Sequence, residues 1–171
     1  MSDDAFDWAG SQLVTVAATQ MSCSADLDAN VHRAEALVRE AAQRGANIIL
    51  LQELFKSPYF CQDQLPENFV LAEDMDMSPL IARFSALAKE LSVVLPISFF
   101  ERSNHAYYNT VAMIDADGAV LGRYRKSHIP DGPGYQEKFY FSPGDTGFRV
   151  WKTRVSFNGI PVGIAGVEGV C

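Results

Sequence analysis

Two spacings of apolar residues alternate along this chain. Leu13-Val-Thr-Val-Ala-Ala18 is short, β-branched and continuous in its apolar character, which predicts a buried strand. After a polar stretch from Ser22 to Asp28, Val31, Ala34, Leu37, Val38, Ala41 and Ala42 recur at helical spacing, and Gly45 supplies the expected stop. Asn47-Ile-Ile-Leu-Leu51 is again a continuous apolar run. A strand, an amphipathic helix and a second buried strand within about forty residues predict a βαβ unit, with parallel strands covered by helices. Further on, Ser78 and Pro79 form an N-cap and a first-turn proline, and Leu80, Ile81, Phe84, Leu87, Ala88 and Leu91 share one helical face. Val93 to Phe100 predicts the next strand. Tyr108 to Ile114 and Ala119 to Tyr124 flank Asp115-Ala-Asp-Gly118, whose turn chemistry predicts a hairpin. The fold class is therefore α/β. Residues 12–171 form one domain or part of one, and residues 1–11 form a flexible lead-in.

Between Lys126 and Thr146 the periodicity ends. Ser127 to Asp145 is dense in Gly, Pro, aromatic and charged residues. A long loop of this kind is either a surface Ω-loop held by its own aromatics or a functional loop, and composition leaves both open.

Composition narrows the function classes. The chain has 171 residues, 48% of them apolar and 20% charged, as in ordinary globular proteins. Its formal charge is −7, and no Lys/Arg run exceeds two residues, so neither a nucleic-acid nor an anionic membrane surface is expected. The acidic opening lacks the basic and apolar regions of a secretory signal. Cys23, Cys61 and Cys171 are widely spaced and form no C-x-x-C pair, which argues against a disulfide framework or zinc site and fits a reducing cytoplasm. His32, His105 and His128 show no metal-ligand spacing, and only His128, beside Lys126, is a candidate neighbour of a site. With no nucleotide-binding, metalloprotease or serine-hydrolase motif, no cofactor and no metal are expected.

Three residues are placed to do chemistry. Glu53 lies just past an apolar strand, where ligands gather in open α/β sheets. Among Leu51, Leu54 and Phe55 it would be partly desolvated and suited to take a proton; a solvent-facing loop glutamate is the plainer alternative. Lys126 has the same placement beyond Ala119 to Tyr124, where an ammonium can donate to a developing oxyanion, or simply end an exposed hairpin strand. Glu137, in the aromatic loop, either orients Lys126 or is solvated beside Lys138.

Taken together and in order, these segments resemble the nitrilase superfamily of carbon–nitrogen hydrolases. The matching pieces are Val14 to Gln20, Ala41 to Phe55, Asn109-Thr110, Asp117-Gly118, and Tyr124 to Pro130. The phrase Asp131 to Asp145 looks most like the N-carbamoylputrescine amidase branch. The resemblance covers roughly residues 12–154. It implies a four-layer α-β-β-α sandwich, of which this chain is the N-terminal part, assembled into homo-oligomers through outer helices. It also implies a Glu-Lys-Cys mechanism on a small carbamoyl amine or amide. Glu53 would be the general base, Lys126 would stabilise the tetrahedral intermediate, and Glu137 would support the site. The products from N-carbamoylputrescine would be putrescine, carbon dioxide and ammonia. An aliphatic amide, a nitrile or a ureido acid is the alternative substrate within the same superfamily.

The resemblance breaks at the nucleophile. Placing Ile160 to Ile164 on the family's strand puts Ala165 at the cysteine position; anchoring on Gly163 puts Val167 there. Neither side chain is nucleophilic. Cys171 comes four to six residues late. The chain is then an incomplete, inactive fragment, a diverged pseudoenzyme that partners intact homologues, or an enzyme using Cys171 after a local insertion. The first is the preferred expectation. A partial sandwich would expose apolar faces and strand edges, so the chain is expected to be aggregation-prone.

Overall fold

The computed structural model describes residues 13–157 and 160–165. The expected lead-in of residues 1–11, and Val167 and Cys171, lie outside the described residues. Strand β1 (Val16–Ala18) is followed by helix α1 (Leu27–Gln43) and strand β2 (Ile48–Leu50), and the two strands pair in parallel as the βαβ pattern requires. Asp26 caps α1 by accepting the Ala29 N–H at 2.9 Å, and Gly45 ends the turn beyond it with φ +87°. Helix α2 (Pro79–Leu91) starts at the predicted cap, with Ser78 Oγ accepting the Ile81 N–H. Leu80, Ile81, Phe84, Leu87 and Ala88 are all buried, so the helical spacing in the sequence identifies the face that packs.

Strands β3 (Leu95–Ser103), β4 (Ala106–Ile114) and β5 (Val120–Arg125) form an antiparallel meander. Its β4–β5 turn is the predicted one, with Gly118 at φ +84° and within 2.6 Å of the Ser85 carbonyl were a Cβ present. The meander continues the parallel pair. Ile49 N–H bonds the Val94 carbonyl at 3.0 Å, and Val94 N–H bonds the Asn47 carbonyl at 2.8 Å, just before β3 begins.

The helices cover one face of this sheet. Val31, Ala34 and Val38 of α1 and Phe84 and Leu87 of α2 pack with Ile49, Leu95, Ile97, Phe99, Ala112 and Ile114. Val94, Met113 and Tyr124 belong to the opposite face and pack with Trp151 and Ile164, from the antiparallel pair β8 (Val150–Phe157) and β9 (Ile160–Ala165). This pair begins a further layer, and it includes one strand, β8, that the sequence reading does not contain. Close contact is built in: a Cβ on Gly122 would lie 2.9 Å from Trp151 Nε1.

The stretch between Glu53 and α2 has no long element. Three short 3-10 turns, Phe60–Gln62, Pro66–Leu71 and Met75–Met77, carry the chain across the sheet end. The aromatic loop after β5 holds only two-residue strands β6 (Asp131–Gly132) and β7 (Tyr135–Gln136) and the turn Glu137–Phe139. Its aromatics do not merely hold the loop. Tyr140 and Phe141 pack with Leu54, Cys61, Phe100 and Ile129, and Phe60 lies 5.0 Å from Tyr140 and 5.2 Å from Phe100 between ring centroids. Tyr140 Oη also accepts from Leu65 N–H and donates to the Asp63 carbonyl, tying the two irregular stretches together.

Candidate active site

Period-two alternation at the end of β5 sorts its basic residues onto opposite faces. Arg123 and Arg125 turn toward Glu101 and Thr110, on the helix side, whereas Tyr124 and the following Lys126 turn to the other. Arg125 donates to both Glu101 oxygens (2.8 and 2.7 Å) and to Asp145, and its guanidinium lies 3.9 Å over the Tyr108 ring. Glu101 is fully buried, with Thr110 Oγ1 donating at 2.6 Å. Burial pushes its carboxyl up, but the Arg125 and Thr110 hydrogen bonds and the charges of Arg125 and Arg123 outweigh this and hold it below the ordinary range. The loop after the site is stitched to the same strand. Gly144 N–H bonds the Lys126 carbonyl, and a Cβ on Gly144 would sit 2.0 Å from the Arg125 carbonyl oxygen. The backbone of Lys126 is thereby fixed from both sides.

Lys126 Nζ lies between two carboxylates, 3.3 Å from Glu53 Oε1 and 3.0 Å from Glu137 Oε2. The three residues singled out in the sequence therefore meet at one place. Their environments differ. Glu137 is 1% exposed and Lys126 12%, while Glu53 keeps 39% of its side chain open. The strong desolvation falls on Glu137 rather than on Glu53, because Leu51, Leu54 and Phe55 turn inward and leave the glutamate at the rim. Leu54 adopts a left-handed conformation at φ +51° to do so, and Ser98 Oγ accepts its N–H in a buried hydrogen bond. Asn30 of α1 holds the same turn by donating to the Lys56 carbonyl at 3.0 Å.

Burial alone would pull the Lys126 ammonium down. The Glu137 hydrogen bond and the two carboxylate charges more than offset it, so the lysine is held above its ordinary value. Glu137 is not solvated beside Lys138; it accepts from Lys126 and, at 2.7 Å, from Tyr59 Oη. Desolvation first, then the hydrogen bond to Glu137, pushes the Tyr59 hydroxyl up, keeping it a neutral donor. His128 is exposed, and His32 Nδ1 lies 2.7 Å from the Asp28 carbonyl on α1.

Two residues that the sequence reading did not assign to the site complete it. Tyr59 is one, and Asn109 of β4, whose Nδ2 donates to Glu53 Oε1 at 2.5 Å, is the other. Cys61 lies close enough for the Glu137 and Glu53 charges to act on it. It is fully buried, and desolvation with those charges pushes its thiol up, which disfavours the thiolate a nucleophile needs. Ala165 is the last described residue of β9. Among the described residues, no group of three His, Cys, Asp or Glu side chains is arranged to hold a metal ion.

The family model for carbon-nitrogen hydrolases matches residues 15–169. The chain belongs to the carbon-nitrogen hydrolase family. Among its relatives, the N-carbamoylputrescine amidase of Solanum tuberosum is 60% identical over 151 residues, covering 88% of this chain and 50% of that enzyme. A citrullinase of Francisella tularensis is 47% identical, covering 87% and 52% respectively. The crystal structure of a carbon-nitrogen hydrolase from Helicobacter pylori G27 superposes with a TM-score of 0.77 at 38% identity, covering 82% of this chain and 48% of that one. The chain spans about half the length of the curated relatives it matches. Within a carbon-nitrogen hydrolase fold, β1 to β5 with α1 and α2 form the first helix and sheet layers, and β8–β9 opens the second sheet.

Proposed function

We propose that this chain carries the acid–base half of a carbon-nitrogen hydrolase site acting on N-carbamoyl amines, with N-carbamoylputrescine the first candidate. The observation that carries the reading is the Lys126 ammonium lodged between the Glu53 and Glu137 carboxylates. Identity of 58–60% to N-carbamoylputrescine amidases supports the substrate class, and the net charge of −7 favours approach of a cationic amine.

In this reading Glu53, open at the rim, takes the proton from a cysteine thiol, and the thiolate attacks the carbamoyl carbon. Lys126 donates to the oxyanion of the tetrahedral intermediate. The intermediate collapses as ammonia leaves with the proton from Glu53, and a thiocarbamate remains on sulfur. Water, deprotonated by Glu53, then releases the carbamic acid, which loses carbon dioxide to give the free amine. Glu137, buried and held by Tyr59, keeps Lys126 charged and aimed. The sulfur is the part this chain does not supply at the family position, where Ala165 or Val167 stands.

The test joins residues 13–154 to the second half of the potato N-carbamoylputrescine amidase and measures ammonia release. We expect turnover of N-carbamoylputrescine, lost in Glu53→Gln and Lys126→Ala. A folded but inactive chimera, or one that releases ammonia from citrulline alone, would overturn the substrate assignment. Ammonia from the 171-residue chain itself, abolished by Cys171→Ser, would show instead that the late cysteine works.

A further inference from the structure

Glu53 and Lys126 are 73 residues apart in sequence, and Asn109 touches both. Its backbone carbonyl accepts the Lys126 N–H at 2.9 Å, extending the β4–β5 ladder by one residue. Its side-chain Nδ2 donates to Glu53 Oε1 at 2.5 Å, the same oxygen that Lys126 Nζ approaches at 3.3 Å. Asn109 itself has little freedom, since it is 4% exposed and sits in register opposite Phe100 of β3. Glu53 is different. It lies on an irregular turn beyond β2 with 39% of its side chain open, so bulk water competes for its carboxylate.

We propose that Asn109 is a positioning residue: one strand residue gauges the lysine through its backbone and the glutamate through its amide, and so sets the orientation of Glu53 toward Lys126. Its catalytic meaning rests on the function proposed above; its structural meaning does not. A purely packing role makes the opposite forecast. Two donors on one oxygen would then compete, and removing the amide would let Lys126 draw closer to Glu53. A positioning role means that without the amide Glu53 turns toward water and Lys126 loses a carboxylate neighbour, keeping Glu137, to which Tyr59 also donates, with the Cys61 thiol within reach of its charge.

The experiment follows the Lys126 ammonium by pH titration in the 171-residue chain labelled with 15N-lysine, the resonance being assigned through Lys126→Arg. Asn109→Leu, close in size and lacking a donor, should move the midpoint down. The shift should vanish in a Glu53→Gln background, because a residue acting through Glu53 has nothing left to position. Asn109→Ser, which shortens the side chain without adding an apolar group, should give the same downward shift if the leucine variant does not fold. A midpoint that stays or rises in the folded variant, or a fall that persists in Glu53→Gln, overturns the proposal. The titration does not depend on turnover, so an inactive chimera would count against the substrate reading while leaving this result standing.

Discussion

Tyr59 shows how much depends on a single hydroxyl. Glu137 is buried, and a carboxylate there is tolerable only while its lone pairs are used. Tyr59 supplies one donor and Lys126 the others. Tyr59→Phe keeps the ring and removes the donor, so it should cost about 1.5–3 kcal/mol, measured as a lower urea midpoint with an unchanged slope. Cys61 gives a second expectation. With its thiol pushed up by burial and by two nearby carboxylates, it should resist alkylation in the native chain and react only on unfolding, as peptide mass spectrometry would record. Fast native labelling of Cys61 would contradict the buried placement. Glu53 and Lys126 were legible in the sequence because strand ends and family wording coincide there, and Glu137 because the wording of the aromatic loop matches the family's. Tyr59 and Asn109 were not. Tyr59 stands between Pro58 and Phe60 and looks like core, and a lone amide in a strand gives no sign of which distant carboxylate it will meet.

At the level of elements, the end of β5 is the part most dependent on charge. Glu101 is held below the ordinary carboxylate range, so its contribution to stability is fully present above about pH 4.3 and is lost as pH falls through its lower folded value. Glu101→Gln leaves the buried Arg125 guanidinium with Asp145 as its one carboxylate partner among the described residues. It should destabilise the chain by about 3–5 kcal/mol and flatten the acid limb of a stability–pH curve. Lys126 has the opposite sign: raised in the folded state, its contribution is full below about pH 10.4 and fades as pH rises through its higher folded value. The helices, the parallel pair and the hairpin could be foreseen because each repeats a period long enough to recognise. Strand β8 had a usable signal, since Trp151 and Thr153 are buried while Lys152 and Arg154 are exposed. The 3-10 turns between Phe60 and Met77 offered only local caps, Pro66 at the start of one and Asp74 at the start of another; the first two take their place from packing with the aromatic loop, and Met75 of the third packs on the helix-side core.

At the scale of the whole fold, among the described residues, the helix-side core is closed and the opposite side is partly open. Val16 pairs with Ile48 and Ala18 with Leu50, so Val16 and Leu50 share the face on which Ile48 meets the β8–β9 layer. Val16 is 70% and Leu50 51% exposed, and Leu13, Phe148 and Val150 are exposed as well. Apolar surface of this kind binds other apolar surface. The purified chain should therefore enhance the fluorescence of a hydrophobic dye and elute larger than a monomer at rising concentration; a dye-silent, monodisperse monomer would speak against it. The α/β class was foreseeable from pattern and the order of the layers only from the family resemblance, whereas the depth to which each face is covered was not, because coverage depends on partners far along the chain.

The sorting of Arg125 and Lys126 to opposite faces has a consequence for how this stretch can change over generations. Losing one codon between Gly122 and Lys126 would turn the guanidinium to the face where Tyr124 packs on Trp151, and turn the ammonium to the face of Glu101. Losing two would return each cation to its own face but would set Lys126 two positions back along the strand, opposite Val111 rather than Asn109. Facing is thus kept by even steps only, and a shift of a single position misplaces both cations at once.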